Sequence, residues 1–251
     1  MNTPKPHITV EDVTLAYGTH VIQRRLNFTI NRGDVFIIMG GSGCGKSTVM
    51  RGLVGLLHPT EGEVYYEGQA FWNTPPKVHE RMKRRFGVMY QRGALWSSLT
   101  TAENVALPLE EYTDLSARQI RKIASFKLAL VGLAGFEDYY PYEISGGMQK
   151  RVAVARAMAL DPEILFFDEP SAGLDPVSSR RLDELILELN QKLGTTMVMV
   201  THELDSIFEV GNNSVFLDPE TRTQITTGDP KELREHSEDH RVREFLTRGE
   251  L

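Results

Sequence analysis

Eight consecutive residues, Gly40-Gly41-Ser42-Gly43-Cys44-Gly45-Lys46-Ser47, have the types and spacing of a phosphate cradle, G-x-x-x-x-G-K-[ST]. Glycines let the backbone curl until successive N–H groups face phosphate oxygens, and a helix opening behind the loop presents its positive end to the same anion. In that chemistry Lys46 bridges the terminal phosphates, Ser47 ligates magnesium, and Thr48 follows on the phosphate side. Cys44 is expected as small filler within the cradle, not as a redox switch. A second constellation is Ile164-Leu165-Phe166-Phe167-Asp168-Glu169, four apolar residues running into two acids. By itself such a pair also reads as a loop entry. Beside a phosphate loop, Asp168 is placed to hold the magnesium through water and Glu169 to polarise an attacking water. The cofactors these residues imply are ATP and Mg2+.

Three apolar runs without alternation must position this chemistry: Val35 to Met39, Ile164 to Phe167 and Met197 to Val200. Such runs are buried on both faces, as in a parallel sheet flanked by helices, where ligands gather beyond the carboxyl ends of the strands. Alternation in Ile8-Thr9-Val10, Val13-Thr14-Leu15, Leu26 to Ile30 and Val64 to Tyr66 predicts half-exposed strands in an N-terminal antiparallel subdomain. Ser116 to Val131 reads as an amphipathic helix with Ile120, Ile123, Ala124, Leu128 and Val131 on one face and Gly132 as its stop. Gly147 to Leu160 reads as another, halted at Asp161-Pro162. A further helix begins with Asp175 as cap and Pro176 in its first turn, turns Leu182, Leu185, Ile186, Leu189 and Leu193 inward, and ends at Gly194.

The expected fold is therefore α/β, a P-loop NTPase with a RecA-like parallel core. One domain spans 1–251: core and β subdomain over 1–91 and 161–228, an inserted helical lobe over 92–160, and a tail over 229–251. At 251 residues and 41% hydrophobic content the chain can bury a large core. No apolar stretch approaches the roughly 20 residues that cross a bilayer. The first residues lack a secretory apolar run, and a single cysteine agrees with a reducing compartment, so a cytoplasmic location is expected. A net charge of −6 argues against generic nucleic-acid binding.

Upstream of the acidic pair lies Ile144-Ser145-Gly146-Gly147-Met148-Gln149-Lys150-Arg151, just ahead of a helix. It is a second anion cradle, in which the Ser145 hydroxyl, the N–H groups of Gly146 and Gly147 and the helix dipole can address a phosphate. A Ser-Gly-Gly before a helix can equally be a simple cap. With the phosphate loop present, the segment resembles the LSGGQ signature of ABC ATPases. That resemblance implies an ATP-sandwich homodimer in which the signature of one copy closes on the nucleotide of the other. It further matches Tyr17 to the aromatic residue stacking on adenine, Gln91 to the Q-loop glutamine serving metal and catalysis, Ser171 to Asp175 to the D-loop, and His202 to the switch histidine. The matched elements, from Tyr17 to His202, stand in the family's order.

Met148 departs from the usual glutamine. Together with Phe86 to Thr100, Glu103 to Leu109 and the ending Val242-Arg243-Glu244-Phe245-Leu246, it resembles the MlaF branch, which serves MCE-type lipid transporters. The implied partners are an MlaE-like permease, an MlaD-like MCE protein and an MlaB-like STAS protein. The implied cargo is phospholipid moving between inner and outer membranes, with membrane contact only through the permease and a peripheral place on the inner membrane. An ABC ATPase for another solute, or one acting outside transport, are the competing readings. Three features stay open from sequence. Ala94-Leu95-Trp96 either receives a permease helix or packs within its own lobe; Arg81-Met82-Lys83-Arg84-Arg85 is a solvated face or a lipid-facing one; the tail either clasps a neighbouring subunit or folds back.

Overall fold

The computed structural model describes residues 5–91 and 93–249. Arg92, where the helical lobe is expected to begin, lies outside the described residues, as do Met1 to Pro4 and the last two residues of the tail. The two alternating stretches near the N-terminus belong to one strand, β1 (Pro6–Tyr17), because a register shift between Val10 and Val13 lets the pairing with β2 (His20–Asn31) continue. After β3 (Val35–Gly40) and α1 (Lys46–Leu53), β4 (Glu61–Tyr66) pairs antiparallel with the other edge of β1, and β5 (Gln69–Ala70) completes a four-stranded sheet. Helix α2 (Pro76–Lys83) and strand β6 (Phe86–Met89) follow.

Next come α3 (Thr101–Tyr112), α4 (Ala117–Leu130) and α5 (Gly146–Ala157). Thr100 and Glu103 form a capping box at the start of α3. The inward face of α4 buries Ile120, Ala124, Leu128 and Val131 as its spacing requires, with Ile123 packed alongside, and Gly132 ends it with φ +72°. Helix α5 stops at Ala157, one turn short of the expected Leu160: Met158 still bonds to the Val154 carbonyl as its C-cap, but Ala159 turns to the Arg156 carbonyl ahead of the Asp161-Pro162 break.

The second sheet has the order β10-β9-β3-β8-β7-β6. β7 (Ile164–Asp168), β8 (Thr196–Val200), β3 and β6 run parallel, β9 (Asn213–Asp218) runs parallel to β3, and β10 (Thr223–Thr227) returns antiparallel. The absence of alternation in β3 has a direct cause. Val35, Ile37 and Met39 enter one core with the helices, whereas Phe36 and Ile38 enter a second core against α1 and the antiparallel sheet.

Between β7 and β8, α6 (Pro176–Leu193) is capped by Asp175, whose carboxylate accepts from the N–H of Val177 and of Ser178, and it ends at Gly194 with φ +65°. Leu182, Leu185, Ile186 and Leu189 are buried, but Leu193, at the last helical position, is 50% exposed at the rim of a surface cavity it shares with Met158 and Leu165. Helix α7 (Leu204–Val210) follows β8. The tail folds back as α8 (Pro230–His236) and α9 (His240–Leu246), burying Val242 and Leu246 in the same core as α6 and α7. Among the described residues no helix is long and apolar enough to cross a membrane.

Candidate nucleotide site

The phosphate loop joins β3 to α1, and its curvature depends on glycine at two points. A Cβ on Gly40 would overlap the Leu217 carbonyl, and Gly45 (φ +96°) lies against Ile22 of β2. Lys46 is buried, and its Nζ donates to the carbonyls of Gly40 (2.9 Å) and Gly41 (3.0 Å), which wraps the loop around the ammonium. Its third N–H meets only the Cys44 sulfur, at 4.0 Å, a weak acceptor that an anion outcompetes. The Ser47 hydroxyl donates to Asp168 Oδ1 at 2.9 Å, so the end of β7 and the start of α1 share one polar point. A hydroxyl beside a carboxylate is the hard-oxygen donor set that magnesium accepts alongside phosphate and water, and the pair fits that ion.

Glu169 stands one residue beyond Asp168 with φ +50°, a conformation an L-residue adopts only under constraint. Its N–H is pinned to the Val200 carbonyl at 2.8 Å. The side chain is buried: Oε1 lies 2.8 Å from His202 Nδ1, and Oε2 has no partner among the described residues. A buried carboxylate oxygen with an unused lone pair is costly in a finished core and useful at a site where a proton must be accepted.

A cavity of about 640 Å³ collects Gly40, Gly41, Ser42, Gly43, Gly45, Lys46, Ser47, Thr48, Gln91, Glu169 and His202 from four separate stretches of sequence. Ile22 and Phe245 complete its walls, and neither is expected from the motifs. Cys44 sits behind the loop with its thiol buried, and burial raises the thiol above its ordinary range. Its N–H turns to the Gly41 carbonyl at 3.3 Å and its own carbonyl accepts from Gln23 Nε2 at 2.6 Å, so it offers no free group to the cavity. Tyr17 is exposed, and its hydroxyl accepts from Arg51 Nη1 of α1 at 2.9 Å, which fixes the ring near the loop helix.

Ser145, Gly146, Gly147 and Asp175 do not line this cavity. Ser145 caps α5 and accepts from the Met148 N–H at 3.3 Å, leaving its own O–H free to donate. A Cβ on Gly147 would touch Ser178, so the signature turn packs beside the start of α6.

Sequence reasoning missed the cations that fasten Gln91 to the signature helix. Lys150 of α5 donates to the Gln91 carbonyl, while Arg156 donates to the carbonyls of Gly93 (2.6 Å) and Ala94 (2.7 Å). Burial holds both below their ordinary basicity. Three bonds therefore tie the Gln91 loop to the helix that Ser145 begins. The only sequence signal was three cations, Lys150, Arg151 and Arg156, on an otherwise largely apolar helix.

Trp96 does not pack within its own lobe: the residue is 62% exposed although its backbone is clamped by Asn104, which accepts from its N–H (2.8 Å) and donates to its carbonyl (3.0 Å). The basic cluster divides. Arg85 pairs with Glu67 and Glu163, Lys83 with Glu80, Met82 is buried, and Arg84 lies over the Tyr112 ring.

The ABC transporter family profile matches residues 23–172. A probable ribonucleotide transport ATP-binding protein, mkl of Mycobacterium tuberculosis, is 38% identical over 95% of this chain, which spans 66% of that protein's length. The intermembrane phospholipid transport system ATP-binding protein MlaF of Haemophilus influenzae is 37% identical over 95% of this chain and 89% of its own length. Among solved structures, a dimeric ATP-binding cassette in a post-hydrolysis state with ADP and phosphate is 31% identical, with a TM-score of 0.79 over 88% of this chain and 98% of that one.

Proposed function

This chain belongs to the ABC transporter family, and from that premise we propose that it is the ATP-hydrolysing subunit of a phospholipid transporter, working as a dimer on a separate permease. The observation that carries the ATPase reading is the convergence of Lys46, Ser47, Gln91, Glu169 and His202 on one cavity, with Asp168 bonded to Ser47. Lys46 directs its remaining N–H at the terminal phosphates, and the loop N–H groups bind the rest. Ser47 and Asp168, with Gln91 lining the same cavity as Ser47, would hold magnesium, which would neutralise charge on those phosphates. Glu169 Oε2 accepts a proton from the attacking water as its oxygen bonds to the γ-phosphorus and the bond to the β-phosphate breaks. His202 holds the other carboxylate oxygen, orienting the base, and Tyr17 stacks on the adenine.

The dimer is supported by where the second cradle lies. Ser145 to Gly147 lie outside their own chain's cavity and pack beside Ser178, at the start of α6, so a phosphate they address is held by another copy. The permease is supported by the exposed Trp96 and by a groove of about 330 Å³ that includes Val88, Tyr90, Pro108, Tyr112 and Arg156. Arg156 also grips the Gln91 loop, giving a helix seated there a path to the nucleotide. Phospholipid is favoured over ribonucleotide because the match to MlaF runs nearly the length of that protein. The remaining partners of this reading are an MlaD-like MCE protein and an MlaB-like STAS protein.

Affinity purification of the tagged chain from membranes tests the cargo. Co-purification of a permease, an MCE protein and phospholipid is the expected result; a sugar- or amino-acid-binding protein in their place overturns it.

A further inference from the structure

Helix α9 reaches the nucleotide cavity from the side of β9. Val242 and Leu246 anchor it in the core, while Phe245 stays half-buried, meets the Phe216 ring edge-on at 5.3 Å and forms part of the cavity wall with Gly41 and Lys46. One turn earlier Arg241 donates through Nη1 to Asp218 Oδ2 at 3.0 Å, the buried carboxylate that ends β9. The carbonyl of the same Asp218 accepts from Gln23 Nε2 at 3.2 Å, and Gln23 Nε2 also donates to the Cys44 carbonyl within the phosphate loop at 2.6 Å. Gln23 is fully buried, and its Oε1 has no partner among the described residues. A buried carboxamide with one end unpaired costs about 1–3 kcal/mol. What that amide secures is the direction of the Cys44 carbonyl, away from the cavity, with the neighbouring loop N–H groups left to face it. A second tie runs from Arg248, just past α9, to Asp205 of α7, the helix that starts two residues after His202.

We propose that α9 is a working part of the nucleotide site: Phe245 contacts bound ATP at the phosphate loop, and Arg241 and Gln23 are positioning residues that hold the loop through Asp218. The inference rests on the cavity being the ATP site, as argued above. An apolar ring at the loop excludes water there and strengthens the contacts from Lys46 and the loop N–H groups. The docking of the tail thereby sets how tightly a subunit holds ATP before any partner closes on it.

The test is equilibrium ATP binding by the full chain in a Glu169→Gln background, with thermal unfolding in the absence of nucleotide measured alongside. Phe245→Ala and Arg241→Met are each expected to raise the Kd about five- to tenfold, and Arg241→Lys to recover part of the loss. Adding Gln23→Leu to Arg241→Met is expected to weaken binding no further than the worse single change, because both act through one path. A merely structural role would lower the unfolding temperature and leave the Kd of the folded chain alone. Unchanged Kd in Phe245→Ala and in Arg241→Met, with binding abolished by Lys46→Ala, overturns the inference and spares the site. Unchanged Kd in Lys46→Ala overturns the site assignment itself.

Discussion

At the amino ends of the parallel strands, Arg32, Glu67, Arg85 and Glu163 neutralise one another beside a neutral, buried His7. Arg85 clasps Glu163 with both Nε (2.8 Å) and Nη2 (2.7 Å) and reaches Glu67 at 2.6 Å, and Arg32 also bonds Glu67 and Glu163. At the carboxyl ends of the same strands, Glu169 Oε2 has no partner among the described residues, Glu169 itself has positive φ, and Lys46 is folded onto backbone carbonyls without a carboxylate. One sheet thus has a closed end and an open end. The ligand atoms of His7, Glu67 and Glu163 come within 4.8 Å of one another, but the two guanidinium groups already occupy the carboxylates, which leaves that cluster a structural knot. The lesson is that clustered charge marks a working site where it is left uncompensated, and marks a fastening where each charge has met its partner.

The comparison breaks most visibly at Glu169. Glu169→Gln keeps the shape and removes the proton acceptor, so steady-state ATP turnover is expected to fall about 10²- to 10³-fold while nucleotide binding persists. Turnover at the unmodified rate would show that the unpaired oxygen is incidental. At the closed end the expectation inverts. Arg85→Met should lower unfolding stability by about 1–2 kcal/mol, measured by denaturant titration, with kcat unchanged in the folded protein; a fall in kcat without loss of stability would put the knot in communication with the site.

The smallest effect is a pH dependence, and its sign follows from two buried groups. Burial, aided by Arg32, lowers His7 to about 4, so the unfolded chain takes up a proton near 6.5 that the native chain refuses, and stability is lost as pH falls from about 6.5 to 4. Asp183 of α6 is displaced the other way, raised by burial to about 6 despite a 2.7 Å hydrogen bond from Ser206, with Glu209, Glu203 and Asp205 adding to the rise. The native chain binds that proton first, so stability grows as pH falls from about 6 to 4. The two contributions oppose and nearly cancel across this window. Asp183→Asn should expose the steeper His7 slope in chemical unfolding between pH 7 and 4; an unchanged slope would remove Asp183 from the account. Glu67, held near 2 by Arg85 and then Arg32, contributes stability that is lost only as pH falls from about 4.5 toward 2, below this window.

Much was legible in the chain because its rules are local. The phosphate loop, the acidic pair, the Asp175 cap and the Gly132 and Gly194 stops depend on residues within a few positions of one another, and backbone stereochemistry dictates what such strings do. The unalternating strands announced burial on both faces, since no solvent-facing residue interrupts them. Local rules failed where a partner element was needed. Periodicity cannot say how fully a neighbouring element covers Leu193, which stays half exposed; it cannot say that Trp96 points outward, because the Asn104 clamp that turns its backbone is a tertiary contact. Nor could spacing show that Lys150 and Arg156 grip the Gln91 loop, or that α9 returns to the phosphate loop through Asp218 and Gln23. Those contacts join residues from 21 to 195 positions apart. Sequence determined which chemical groups are present and how the backbone holds each one; the packing of two cores on one sheet decided which of them meet, because only burial fixes the distance between groups that the chain itself leaves free.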